Sequence, residues 1–179
     1  MPDDAPNAAR DLGSLTAKPV LYVANVDEGS EELPSGLAEH AAARGASAIA
    51  ISSRIESELA ELDGDDAAAM RAELGVSESG LQRVVAAAFS LLELIAFFTA
   101  GEGKPAQSWH MRDGLTAWHA AGEIHSDIQR GFVRAEVIGW RELVDAGGYA
   151  GARERGTLRL EGRDYAMRDG DVITVKFTP

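Results

Sequence analysis

Cysteine is absent from all 179 residues. No disulfide can staple this chain, and no thiolate can act as nucleophile or metal ligand. Long apolar runs are also missing; none reaches the roughly 18 residues that a membrane helix needs. The start, Met1-Pro2-Asp3-Asp4, is acidic where a secretory signal is basic. These absences predict a cytoplasmic protein with no membrane partner. Positive charge is in deficit too. The formal net charge is −12, which argues against a general nucleic-acid binder and against sequence-specific binding of DNA.

The deficit is uneven. Residues 1–96 hold 6 Lys and Arg against 17 Asp and Glu, while residues 97–179 hold 11 against 12. Nine of those last eleven basic residues are Arg. The acidity therefore belongs to the first part, and the second can present a local arginine-bearing face to a polyanion. With 45% hydrophobic and 26% charged residues, the composition is that of a folded globular chain.

Residues 1–16 are rich in Ala, Asp, Pro and Asn and read as frayed. Val20–Ala24 reads as a buried strand. LAEHAAARG reads as a helix, with Pro34 at its first turn and Gly45 as its stop. Ser47–Ser52, SAIAIS, reads as a second strand. Strand, helix and strand with short links predict a parallel βαβ unit. ESELAELDGDDAAAMRAELG reads as two short helices broken at Gly64. In LQRVVAAAFSLLELI, residues Leu81, Val84, Val85, Ala88, Phe89, Leu92 and Ile95 recur at helical spacing and predict one buried stripe.

Beyond Gly101, FVRAEVIGW, LRLEGRDYAM and DVITVKF alternate with period two and read as strands. TAWHAAGEIH and WRELVDAGGYAGARER read as helices between them. A small mixed sheet crossed by a helix is predicted. Phe98, Trp109, Phe132, Val137, Val172, Val175 and Phe177 are expected to form its single core. The boundary between the two domains is expected at residues 96–98, giving domains 1–96 and 97–179.

A nucleotide-hydrolysing P-loop needs GxxxxGK[ST], because backbone N–H groups must cradle the phosphates and a hydroxyl must hold Mg²⁺. The sequence has one Gly-Lys pair, Gly103-Lys104. Phe98 stands where the first glycine belongs, and Pro105 follows the lysine. This stretch is a loop of another kind. Asn25 is different. In an open parallel sheet ligands sit outside the carboxyl ends of the strands, and Asn25 ends such a strand. Its amide can meet the N7/N6 edge of adenine. With Glu28 three positions on, it is similar to the NKxD element of GTPases, but Val26 replaces the lysine and Glu28 the aspartate. On these residues alone a plain turn is the better-fitting reading of Asn25. Ser52-Ser53-Arg54 closes the next strand, as Ser-Ala-Lys does in GTPases, and an N-cap role for Ser52 or Ser53 is the structural alternative. His125 and Asp127, two apart in GEIHSDIQRGF, suggest metal or acid–base chemistry, but no third ligand stands at a motif spacing. A structural role fits them better.

Five blocks in order carry a family resemblance: LTAKPVLYVANVDE, ISSRIESELAELD, ELIAFFTAGE, AAGEIHSDIQRGFVRAEVI and RLEGRDYAMRDGDVITVKF. Together, from about Ala9 to Phe177, they resemble the C-terminal part of the YchF/Obg-like ATPases. That resemblance implies an α/β fold class: a partial P-loop-NTPase-like parallel βα segment, then a ubiquitin-like β-grasp domain of the TGS type. In the family an N-terminal G domain with a P-loop precedes these parts. The resemblance implies that Asn25 and the Val26 main chain read adenine, with Glu28 completing the family's NxxE element. It places Ser52 and Ser53 in the second base-side loop. ATP is the implied cofactor, through adenine contacts only in this chain, and Mg²⁺ is expected only with the P-loop region. Ribosome or RNA is the implied partner, through the TGS-like domain. By itself the chain is expected not to hydrolyse ATP, and no catalytic or metal-binding residue is assigned. The sequence departs from the family pattern at Gln107, where Arg is usual, and at Trp118 and His119, where Pro and Gln are usual. The competing expectation is a stand-alone, non-enzymatic TGS module that binds RNA, the ribosome or a protein. A shortened parallel sheet in the first domain would leave an open edge, which is an association liability.

Overall fold

The computed structural model describes residues 15, 18–27, 30, 32–76, 78–101 and 104–178. The reading of residues 1–16 as frayed falls, Leu15 apart, outside them. The chain divides into two compact units, Met1–Leu92 and Glu93–Pro179.

In the first unit β1 (Leu21–Asn25) and β2 (Ser47–Ile51) pair in parallel, with Asn25 opposite Ile51. Helix α1 (Ser35–Ala43) connects them. It begins after Pro34 and stops where Gly45 takes a φ of 61°. That left-handed turn suits glycine because it has no Cβ to clash. Helices α2 (Ser53–Leu59), α3 (Gly64–Glu73) and α4 (Gly80–Leu91) follow. Ile55 and Leu59 of α2 bury themselves against Ala67 of α3, with Met70 packed beside them. Helices α1 and α4 pack on the two strands.

Two expectations about α4 change here. The helix ends at Leu91, and Glu93 adopts a left-handed φ of 53°, a conformation that stops a helix. Ile95 therefore belongs to the following strand. The predicted stripe is also only partly buried, since Leu81, Val85 and Leu92 are exposed.

The second unit is a five-stranded mixed sheet in the order β4-β3-β7-β5-β6. Strands β3 (Leu94–Gly101) and β4 (Lys104–Arg112) form an antiparallel hairpin. Helices α5 (Ala117–Ile124) and α6 (Ser126–Arg130) lead to β5 (Phe132–Gly139). Helices α7 (Trp140–Asp145) and α8 (Tyr149–Glu154) lead to the short β6 (Arg159–Glu161), and β7 (Asp171–Phe177) closes the sheet. Strand β7 lies between β3, to which it is parallel, and β5, to which it is antiparallel. This is a β-grasp arrangement.

Neighbouring residues on a strand face opposite sides of the sheet, and this sheet uses both. Phe97, Val137 and Ile173 pack with Met111 and with Ala117 and Ala120 of α5. Their neighbours Phe98, Ile138 and Val172 pack with Leu143, Ala146, Tyr149 and Ala152 on the other side. The single expected core is thus two cores on two faces, and Phe177 is largely exposed. The hairpin partner β4 was not legible as a strand, and the split between units falls before the expected 96–98 because β3 already starts at Leu94.

Candidate functional site

The carboxyl ends of β1 and β2 lie side by side. Val26 donates its N–H to the Ile51 carbonyl at 2.9 Å, which extends the pairing one residue past Asn25. The chain then leaves β1 through Val26 and Asp27 and leaves β2 through Ser52, Ser53 and Arg54. The Asn25 Oδ1 accepts the Ser53 backbone N–H at 3.0 Å. The two loops predicted as base-side elements are therefore tied by Asn25 itself. A backbone N–H can only donate, so this bond fixes which way the amide points. The oxygen faces Ser53, and the Nδ2 donor is the arm turned away from it. Asn25, Val26, Asp27, Ser52 and Arg54 line an open depression of about 340 Å³.

Four of the five predicted residues have a place in this picture. Asn25 is exposed at the strand end and Val26 is half-buried behind it. Ser52 is the N-cap of α2, where its Oγ accepts the Ile55 N–H at 3.5 Å. Ser53 supplies the N–H that holds Asn25, and its side chain is exposed. Glu28 lies outside the described residues. Arg54 pairs with Glu58 one helical turn on, at 3.3 Å.

Behind the loops, Glu56 performs a task that the local sequence hid. Its carboxylate accepts the Gly80 N–H at 2.7 Å, the Ser79 hydroxyl at 2.9 Å and the Leu81 N–H at 3.4 Å. It caps the N-terminus of α4 from α2. Partial burial pushes its pKa up, but the bonds from Gly80, Ser79 and Leu81, with the Arg71 charge, outweigh that and hold it below the ordinary glutamate value. Glu56 and Gly80 are 24 residues apart, so no local pattern announces this cap.

His125 and Asp127 bond to each other locally. His125 precedes α6, and its Nδ1 accepts the Asp127 N–H at 3.1 Å. Among the described residues no group of three or more His, Asp or Glu could hold a metal ion. The two departures in α5 also have local roles. His119 Nδ1 accepts the Thr116 N–H at 3.3 Å at the helix start, and Trp118 carries the Arg163 guanidinium 5.4 Å from its ring centre.

A family model described as YchF-GTPase_C, protein of unknown function (DUF933), matches residues 94–178. The "Ribosome-binding ATPase YchF" of Bacillus subtilis is 45% identical over 174 residues, covering 94% of this chain and 47% of the relative. The chain matches the C-terminal part of the YchF proteins. The Haemophilus influenzae YchF of the same description is 43% identical over 173 residues, covering 95% of this chain and 47% of the relative. Among solved structures, the Schizosaccharomyces pombe YchF GTPase superposes with a TM-score of 0.81 at 27% identity, over 98% of this chain and 48% of that one. A GTP binding protein from Pyrococcus horikoshii, at 21% identity and a TM-score of 0.62 over 90% of this chain and 46% of that one, shares the fold. The chain thus spans about half the length of the YchF relatives it matches. Among the described residues no helix is long and apolar enough to cross a membrane.

Proposed function

We propose that the first unit carries the base-reading corner of a YchF nucleotide site and that the site selects adenine. The observation that supports this best is the bond from the Ser53 N–H to Asn25 Oδ1, because it leaves Nδ2 as the arm for a ligand. A purine N7 is an acceptor that matches this donor. Both purines have it, so Asn25 binds a purine without telling adenine from guanine. The choice then falls on Val26. Its N–H is committed to Ile51, so the main-chain group it can offer is its carbonyl. A carbonyl accepts the 6-amino group of adenine and repels the 6-oxo group of guanine. This refines the expectation that the Asn25 amide meets both N6 and N7.

Phosphates and Mg²⁺ supply much of the grip in such sites. No residue of this chain is assigned to them, and the reading gives the chain itself no ATPase activity. Hydrolysis belongs to the assembly with the family's P-loop half. The β-grasp unit is read as a TGS domain that meets the ribosome or RNA. Its support is the YchF family model that covers it and the ribosome-binding description of the relatives.

The direct test on this chain is NMR titration with adenosine and guanosine monophosphates at millimolar concentration. The Asn25 side-chain amide and the Ser53 N–H should shift with the adenine nucleotide, and Asn25→Ala should remove the Ser53 response. Shifts confined to other residues, or equal responses to both bases, would refute the adenine-reading role.

A further inference from the structure

Helix α2 starts at the base corner and is short. Its seven residues, Ser53–Leu59, make fewer than two turns, and a helix of that length does not hold itself. Its own cap is weak. The Ser52 Oγ lies 3.5 Å from the Ile55 nitrogen, the far limit of a hydrogen bond. The Ser53 N–H is one of the donors that a helix start leaves without an internal partner. It goes to Asn25 Oδ1 instead. The direction of the Asn25 amide therefore depends on where α2 begins.

Packing does not fix that start completely. Ile55 and Leu59 are buried against α3. Beside them, however, Ser52, Glu56, Leu74, Val76 and Gly80 border a cavity of about 270 Å³. Side chains next to a void lack part of their packing contacts. At this cavity α2 is joined to α4 by the carboxylate of Glu56, which stands in the first turn of α2. It takes the Gly80 N–H, the Ser79 hydroxyl and the Leu81 N–H together. Gly80 is buried, and a Cβ there would stand 3.1 Å from Glu56 Cγ and 3.2 Å from its Oε1. The bare glycine lets the carboxylate sit directly on the start of α4.

We propose that Glu56 is a positioning residue of the base corner. Its carboxylate anchors the first turn of α2 to α4 and so keeps the Ser53 N–H on Asn25 Oδ1. With that bond in place Nδ2 is the arm turned to the ligand. When the anchor is lost, the start of α2 moves into the neighbouring space, the Ser53 bond loosens and the Asn25 amide turns. The consequence for purine binding rests on the adenine reading above; the effect on the Ser53 bond does not need a ligand.

The test compares amide exchange at Ser53 with that at Val26 in the full chain by NMR. The Val26 N–H is held by Ile51 of the strand pair, so it reports general opening of the unit, and the ratio of the two rates isolates the corner. Glu56→Ala should raise the Ser53 to Val26 ratio about fivefold or more, the scale of one lost hydrogen bond, and shift the Asn25 side-chain amide signal without ligand. Glu56→Gln, which keeps one acceptor oxygen, should raise it less and serves if the alanine variant fails to fold. Ala41→Gly in α1 is the control. It removes a buried methyl and weakens a helix, so it should speed both amides alike and leave the ratio unchanged. Adenosine monophosphate should then bind the folded Glu56 variant more weakly by about the same factor as the ratio rises. An unchanged ratio in the Glu56 variant that folds, or an equal rise in Ala41→Gly, would overturn the proposal. So would a raised ratio with unaltered binding of adenosine monophosphate. Failure of the adenine reading looks different: the unsubstituted chain then gives no response to adenosine monophosphate, and the exchange ratio alone decides whether Glu56 positions the corner.

Discussion

Asn25 has one acceptor oxygen and one donor nitrogen, and the fold uses the first internally. Substituting it therefore has two effects. Asn25→Ala frees the Ser53 N–H and unties the loops, which should lower the first unit's stability by about 1 kcal/mol, the value of a typical hydrogen bond. Asn25→Asp keeps the acceptor for Ser53 but removes the donor. It should preserve the melt and lose the purine response, so a urea melt and an NMR titration separate the structural and the binding roles. Glu56 gives a second test. Its pKa is lowered in the folded state by the Gly80, Ser79 and Leu81 bonds acting against burial. Its contribution is therefore present above the ordinary glutamate pKa of about 4.3 and disappears as pH falls through the lower folded value. Glu56→Gln should cost the first unit about 1 kcal/mol at neutral pH, the worth of a helix cap, and should flatten its stability profile on the acid side. Denaturant melts between pH 7 and pH 3 measure both. An unchanged profile would mean that Glu56 is not the cap.

Among the elements, α7 and α8 show where the sequence spoke and where it did not. WRELVDAGGYAGARER reads as helical, and the break at Gly147 and Gly148 follows from their positive φ values of 72° and 111°. Gly151 lies inside α8, where glycine is a poor helix former. Its role is visible only in three dimensions: a Cβ there would collide with the Ala146 carbonyl oxygen at the end of α7. Gly151→Ala should destabilise the second unit by roughly 1–3 kcal/mol despite the better helix propensity. A thermal melt that rises instead would show that α7 can move away without cost. The same distinction holds along the chain. Strands β1, β2, β5 and β7 were legible because their apolar pattern is local. Strand β4, KPAQSWHMR, was not, because a strand with one charged edge and a Pro near its start has no such pattern and is defined by pairing with β3. At the site, Asn25, Ser52 and Ser53 were legible from their places at strand ends. The bond that unites them, and the reach of Glu56 to Gly80, join residues 28 and 24 apart and could be seen only in the fold.

For the whole molecule, the division at Leu92 and Glu93 gives each unit its own buried clusters. Residues 93–179 should fold alone and melt cooperatively, starting where β3 begins. A flat, poorly dispersed NMR spectrum of that segment would contradict the division. The first unit, with two short strands among the described residues, should be the less stable of the two, since a pair of strands is marginal until more are added. The central claim is that the Asn25–Val26 corner reads adenine, and calorimetry measures it most directly. Once this chain is assembled with the part of a YchF relative that it does not match and Mg²⁺ is present, ATP and GTP affinities can be compared. The carbonyl of Val26 against the 6-oxo group of guanine should disfavour GTP by roughly 1–3 kcal/mol, so ATP should bind about ten to a hundred times more tightly, and Asn25→Ala should weaken both nucleotides. Equal affinities for ATP and GTP would contradict the account and leave the Val26 carbonyl without a base-selecting role.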